Sequence, residues 1–249
     1  VVGSLDANLY LLRPDGTNYP NWPVRLGGGI RSTAAVGDID GDTELEIVVG
    51  CLDGKVYAFN LDGSSVPGFP FTTTDEIVSS PCLADVDMDG VVDIVIGSRN
   101  GGLYVLKGDG SLMPGFPVVA ASWIDSTPVV GDINGDGLPN IIVGSYDQNI
   151  HAWNSDGTIL SGYPVRTGGF VSSSPALGDL DKDGILDVVI GSDDGFVHAL
   201  KGDGTAVGGW PRQTGSFVRS SPALVDLSGN GSLDVVAASF DQRVYAWDA

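Results

Sequence analysis

Short apolar runs rich in β-branched residues punctuate the chain at regular intervals: Ile47-Val-Val-Gly50, Ile94-Val-Ile-Gly97, Ile141-Ile-Val-Gly144, Val188-Val-Ile-Gly191 and Val235-Val-Ala237. Each is too short for a helix and is bounded by acidic or glycine-bearing segments, so each reads as a strand buried on both faces. A further strand follows across an Asp-Gly type turn, as in Asp53-Gly54 before Val56-Tyr-Ala-Phe59, which is a hairpin signal. Ahead of the apolar run lies a Ser-Ser-Pro type segment, at residues 32–36, 79–83, 126–130, 173–177 and 220–224, that predicts a strand of its own. A fourth extended segment comes after a second Asp-Gly turn and carries an aromatic–proline pair: Trp22-Pro23, Phe69-Pro70, Phe116-Pro117, Tyr163-Pro164 and Trp210-Pro211. Proline cannot donate to the interior of a sheet, so this fourth strand is predicted at an edge. No stretch has helical periodicity.

The four segments recur together with a period of 47 residues. A fixed period of this length marks a repeat architecture in which each unit buries its core against its neighbours. Four antiparallel strands per unit, ending on an edge strand, predict an all-β fold, a β-propeller of 47-residue blades within a single domain. Residues 1–28 form a partial blade, 29–75, 76–122, 123–169 and 170–216 are full repeats, and 217–249 is a partial repeat. The hairpin count favours six blades with incomplete terminal ones; a five-bladed ring or an arc of a larger ring are the alternatives.

Between the first two strands of each full repeat lies an acidic loop. In Asp179-Leu-Asp181-Lys-Asp183-Gly184-Ile-Leu-Asp187 it sets carboxylates at positions 1, 3, 5 and 9 around a turn glycine. Oxygens converging in this way suit a hard cation with six to eight oxygen ligands, which points to calcium. Two carboxylates about 4 Å apart at an effective dielectric of about 20 repel by about 4 kcal/mol, so the loop presupposes a cation. The second loop repeats the full set with Asp85, Asp87, Asp89 and Asp93, and the first has Asp38, Asp40, Asp42 and Glu46 with Thr43 in place of the glycine. The third (Asp132, Asn134, Asp136, Asn140) and fifth (Asp226, Ser228, Asn230, Asp234) keep two carboxylates each, so they are expected to bind more weakly. Up to five calcium ions are expected. Ordinary Asx turns would not require carboxylates in register from repeat to repeat.

Charge and composition narrow the function. The formal charge of −20 argues against nucleic acid, whose binding draws on Lys and Arg. More than half of the 32 acidic residues sit in the five loops, so the charge is local rather than a general solvating coat. No apolar run is long enough to span a membrane. Cys51 and Cys82 stand in columns otherwise held by small residues and read as small buried residues with free thiols. Val1-Val2-Gly3 matches the mid-repeat Val48-Val49-Gly50 and no signal segment precedes it, so the sequence reads as part of a longer secreted polypeptide, placed outside the cell or on its surface.

The units resemble the FG-GAP or VCBS repeats of integrin alpha-chain propellers and of bacterial secreted proteins, through the motif D-x-[DN]-x-[DN]-G-x-x-[DN] followed by an apolar strand. The resemblance covers essentially the whole chain. It implies side-chain ligands at positions 1, 3, 5 and 9 and a backbone carbonyl at position 7, supplied by Glu44, Val91, Leu138, Ile185 and Ser232. An EF-hand would need a Glu at position 12 and flanking helices, whereas here position 9 opens a strand.

Catalysis finds little footing. His151 and His198 occupy a column that Tyr10, Tyr57, Tyr104 and Tyr245 hold elsewhere, and the recurrent serines have no registered base. The chain is therefore read as a non-enzyme. On the face opposite the loops the varying columns carry Trp123, Phe170 and Phe217, with Asp125, Tyr146 and Arg219 beside them. Aromatic and arginine-rich faces are typical of recognition surfaces. The expected function is a calcium-stabilised extracellular binding or adhesion module for a carbohydrate or protein ligand. The alternative is the non-catalytic scaffold of a secreted polysaccharide-degrading enzyme or an architectural cell-surface protein.

Overall fold

Strands form where the apolar runs fall. The computed structural model describes residues 1–248 and is all β, with six antiparallel sheets of three or four strands in a propeller-like fold. The chain comprises two compact units, Val1–Asp125 and Ser126–Ala249.

In the first unit, β1 (Val2–Gly3), β2 (Asn8–Tyr10) and β3 (Val24–Arg25) make a three-stranded sheet. The second sheet runs β4 (Ala35–Gly37), β5 (Glu46–Gly50), β6 (Lys55–Asn60), β7 (Phe71–Thr72). The third follows with β8 (Cys82–Ala84), β9 (Asp93–Gly97), β10 (Gly102–Leu106) and β11 (Val118–Val119). The second unit repeats the plan. Its sheets are β12 (Val129–Gly131) to β15 (Val165–Arg166), through β13 (Asn140–Gly144) and β14 (Asn149–Asn154), and β16 (Ala176–Gly178) to β19 (Arg212–Gln213), through β17 (Asp187–Gly191) and β18 (Phe196–Leu200). A three-stranded sheet of β20 (Ala223–Val225), β21 (Asp234–Ser239) and β22 (Arg243–Asp248) completes it. Each sheet is ordered as in the sequence, and the pairing register is the same throughout: Ala35 opposes Val48, Cys82 opposes Val95, and Ala176 opposes Val189.

The second strand is the core of each sheet, buried along its whole length in β5, β9, β13 and β17. Burying an Ile or Val of this kind contributes about 1.5–3 kcal/mol. Successive sheets pack face to face: Ile39, Val48, Val56 and Ala58 of one repeat meet Ile77, Ile94, Ile96 and Leu106 of the next. The aromatic before each proline reinforces this. Trp22 Nε1 donates to Leu61 O at 2.9 Å, and Tyr163 Oη donates to Lys201 O at 3.0 Å, so these two aromatics are joined to the following repeat.

Three expectations change in detail. The first strand is shorter than the Ser-Ser-Pro segment, starting at Ala35 rather than at Ser32, because side-chain bonds replace the ladder there. Ser32 Oγ accepts from Gly50 N at 3.0 Å and donates to Gly50 O at 2.8 Å, and Ser79, Ser126, Ser173 and Ser220 accept from the matching N–H. The prolines precede the fourth strand rather than lying in it, and β7, β11, β15 and β19 are edge strands as expected. Cys51 is buried, its Sγ 3.2 Å from Gly28 O and its thiol pushed up to about 11 by burial. Cys82, expected to be buried, is only half-buried.

Candidate functional site

Each acidic loop joins the first strand of its sheet to the second, and its geometry is built by its own acids. The position-one aspartate accepts two backbone N–H groups from the turn. Asp38 takes those of Gly41 and Thr43 at 2.8 and 2.9 Å, Asp85 those of Asp89 and Gly90 at 3.0 and 2.9 Å, and Asp179 those of Asp183 and Gly184 at 3.1 and 3.0 Å. Asp132 and Asp226 hold the third and fifth loops in the same way. The position-five residue accepts from the N–H of position seven in every loop: Asp42 from Glu44, Asp89 from Val91, Asp136 from Leu138, Asp183 from Ile185 and Asn230 from Ser232. Position nine opens the buried strand and reaches back to the N–H of position two at 2.7–3.0 Å, from Glu46, Asp93, Asn140, Asp187 and Asp234.

Three of the loops bring ligand atoms of their aspartates within 4.8 Å of one another: Asp38, Asp40 and Asp42; Asp85, Asp87 and Asp93; Asp179, Asp181 and Asp187. These clusters could hold metal ions. The position-nine carboxylates are the costly members. Burial pushes the Glu46 carboxyl above its ordinary value against the pull of the Ile39 N–H, and the charges of Asp40, Asp42 and Asp38 push it further. Asp93 and Asp187 are raised by burial as well. Glu46 Oε1 and Asp234 Oδ1 are buried with no hydrogen-bond partner. A buried carboxylate oxygen without a partner costs several kcal/mol unless a cation meets it. An all-oxygen donor set of this kind suits a hard cation such as calcium; in the first loop Asp38, Asp40 and Asp42 are the side chains that would hold it, with the buried Glu46 carboxylate nearby.

Within each unit, the connections from a fourth strand to the next first strand, and from a second strand to its third, carry the aromatic columns. Trp123 and Asp125 belong to the first unit. Trp123 is 43% exposed, with the Arg99 guanidinium 4.6 Å from its ring centroid. Arg99 forks onto Asp125 at 3.0 and 2.9 Å and reaches Glu76 at 2.8 Å, so Asp125 is engaged by its own fold. Tyr146, Phe170, Phe217 and Arg219 belong to the second unit. Tyr146 stacks on Phe170 with centroids 5.2 Å apart, Arg219 lies 5.5 Å from the rings of both Phe217 and Phe240, and it forks onto Asp193 at 2.9 and 2.7 Å. Gln148, Phe170, Asp193, Phe217 and Arg219 line a cleft of about 320 Å³. Arg99, Gln148, Asp193 and Phe240 are members of this face that the aromatic column alone does not single out; they stand at fixed offsets in the same 47-residue register.

The two histidines have a structural partner each. His151 and His198 Nε2 lie 2.8 and 2.9 Å from Asp147 and Asp194 of the preceding hairpin turn. Tyr10, Tyr57 and Tyr245 donate their hydroxyls to Asp6, Asp53 and Asp241 at the same place. The column is a turn lock in which either ring type serves.

The FG-GAP-like repeat pattern matches residues 38–96, 85–143, 132–190 and 179–237. No curated protein sequence matches the chain. Among solved structures, the V. cholerae biofilm matrix protein Bap1 is similar with a TM-score of 0.64 at 18% identity, over 89% of this chain and 40% of that one. BBS1N, solved in complex with ARL6DN, gives 0.59 at 14% identity over 100% of this chain and 73% of that one. The computationally designed Ika8 protein gives 0.54 at 14% over 99% and 79%. At these identities the likeness is one of fold, and the chain spans less than half the length of Bap1. Four matched copies, together with the loop-then-buried-strand unit that repeats through both halves, establish that this chain belongs to the FG-GAP-like repeat family.

Proposed function

We propose that this chain is a calcium-stabilised extracellular binding or adhesion module that docks a carbohydrate or protein ligand on the aromatic face of its second unit. The observation that carries the reading is the set of exposed rings gathered around a charged pair. Phe170, Phe217 and Phe240 are 44%, 46% and 62% exposed, and two of them border the cleft that Arg219 and Asp193 line. Rings supply contact area while the polar groups fix orientation, which is the makeup of a ligand site. Rings that only covered strand ends would be buried more deeply than this. The fold-level likeness to a biofilm matrix protein supports an extracellular setting. In this reading the acidic loops stabilise the repeats with calcium, and the face does the binding.

A glycan array and a surface pull-down with calcium-loaded protein test it, comparing wild type with Phe170→Ala and Phe217→Ala, and with Trp123→Ala in the first unit. The expected result is a ligand bound about tenfold or more weakly by the two phenylalanine variants, the loss typical of an aromatic anchor. A partner held equally well by folded variants would place the site elsewhere.

A further inference from the structure

The two loops that match the carboxylate motif in full are the ones that carry a cation of their own. Lys107 and Lys201 occupy the same register position, fourteen residues beyond the position-nine aspartates of loops two and four; Asn60 and Asn154 stand there for loops one and three, and Asp248 for loop five. Lys107 Nζ lies 2.6 Å from Asp87 Oδ2, 2.9 Å from Asp89 Oδ2 and 3.0 Å from Asp93 Oδ1. An ammonium has three donors, and here three carboxylates receive them. On Asp89 and Asp93 these are the oxygens left over once the backbone bonds to Val91 and Val86 are made. Lys201 is paired likewise with Asp181 and, at 3.0 Å, with Asp183. A calcium ion at either loop would draw on those same oxygens.

Loop one is arranged differently. Asn60 donates its amide to Ser64 Oγ at 2.9 Å, and Glu46 Oε1 is left buried without a partner. In loop three the corresponding Asn140 is satisfied by Asn154 at 3.2 Å. In loop five Asp234 Oδ1 is again unpartnered. With Glu44 counted, loop one holds five acidic side chains and no lysine.

We propose that Lys107 and Lys201 are tethered counter-cations that compete with calcium at loops two and four, so that loop one, whose buried carboxylate no protein cation meets, is the tightest calcium site of the chain. The consequence reverses the order that fit to the loop motif alone gives, in which Thr43 and Glu46 set loop one below loops two and four. The proposal rests on the calcium reading of the loops. It gives the lysines two effects that a merely structural role would not combine: they support the loops without calcium and oppose calcium when it is present.

The test is calcium titration by calorimetry, with melting curves in chelator and in calcium, on wild type, Lys107→Asn/Lys201→Asn and Asn60→Lys. Asparagine is the residue this register position already accommodates in loops one and three. The expected result for the double variant is two sites tightened by roughly tenfold or more, a lower melting temperature in chelator, and one at or above wild type in calcium. Asn60→Lys, conversely, should weaken the tightest site of the wild type by a similar factor. Calcium binding that is the same in all three proteins would overturn the competition while leaving the calcium reading standing. Absence of binding in all three would remove both.

Discussion

At Thr43 a β-branched residue sits in the left-handed region, with φ of 75°, at a position where the other four loops have Gly90, Gly137, Gly184 and Gly231. Such a residue is strained there by about 1 kcal/mol or more, because its Cβ crowds the backbone. The loop keeps the conformation because the Thr43 N–H is needed by Asp38. Thr43→Gly is therefore expected to stabilise the protein by about 1 kcal/mol in urea unfolding at saturating calcium, and Gly184→Thr to cost at least as much. Space does not confuse the second comparison, since a Cβ at Gly184 meets nothing within 4 Å. Equal midpoints for the Thr43 pair would mean the strain is relieved elsewhere. The requirement at this position was legible in the sequence as a recurring glycine. The one two residues earlier was not. Gly41, Gly135 and Gly229 share a left-handed conformation with Met88 and Lys182, and those two side chains conceal the demand. The lysines facing loops two and four were hidden for a different reason: each stands one residue past the end of the third strand, and only the pairing of that strand with the second brings it to the acids.

The hairpin between the second and third strands recurs in every sheet, and an acid holds it in all but the third, where Asn100 takes that place. Asp194 accepts from Phe196 N at 2.9 Å and Gly168 N at 3.0 Å and lies beside His198, while Asp241 accepts from Arg243 N, Gly215 N and the Tyr245 hydroxyl. Burial works to raise the Asp194 carboxyl, but the bonds from His198 and Gly168, the His198 charge and the Phe196 N–H outweigh it and leave the carboxyl below its ordinary value of 3.8. A carboxylate depressed in the folded state contributes stability that is present above its unfolded value and lost as the pH falls through the folded one. Asp194→Asn should therefore lower stability at neutral pH and flatten the loss of stability below about pH 4. Urea midpoints measured across that range check it, and parallel curves for variant and wild type would refute it. The sequence showed the strands and hairpins well because period-two and apolar-run signals are local. It could not show that the Ser-Ser-Pro serines bond to the neighbouring strand, or that histidine and tyrosine meet one shared acid, since both depend on which strands pair.

Within each unit the cores are shared between adjacent sheets, as where Ile133, Ile142 and Ile150 pack with Val188, Ile190 and Leu200. Stability in such an arrangement is a sum of repeat terms and nearest-neighbour interfaces, so an acidic loop that loosens weakens the sheet before it and the sheet after it. The chain as a whole carries a formal charge of −20, and self-repulsion of that size opposes the compact state until cations bind. Calcium that binds the folded loops and not the unfolded chain stabilises by mass action. For sites of about 10⁻⁴ to 10⁻³ M, about 5 mM calcium contributes about 1 to 2 kcal/mol per occupied site. For a chain of this length each kcal/mol raises the melting temperature by about 2–4 °C, so two or three occupied sites should separate the chelated and calcium-loaded melts by several degrees or more. Magnesium at the same concentration is expected to do less, because it dehydrates reluctantly and demands a near-ideal octahedron at short distances, whereas calcium accepts the flexible, many-oxygen coordination that carboxylate loops offer. A general screening of the negative charge would make the two ions equivalent. Calorimetric scans in chelator, magnesium and calcium separate the cases. A melting temperature that does not move with calcium, or that moves equally with both ions, would show that the acidic loops are not the cation sites on which the fold depends.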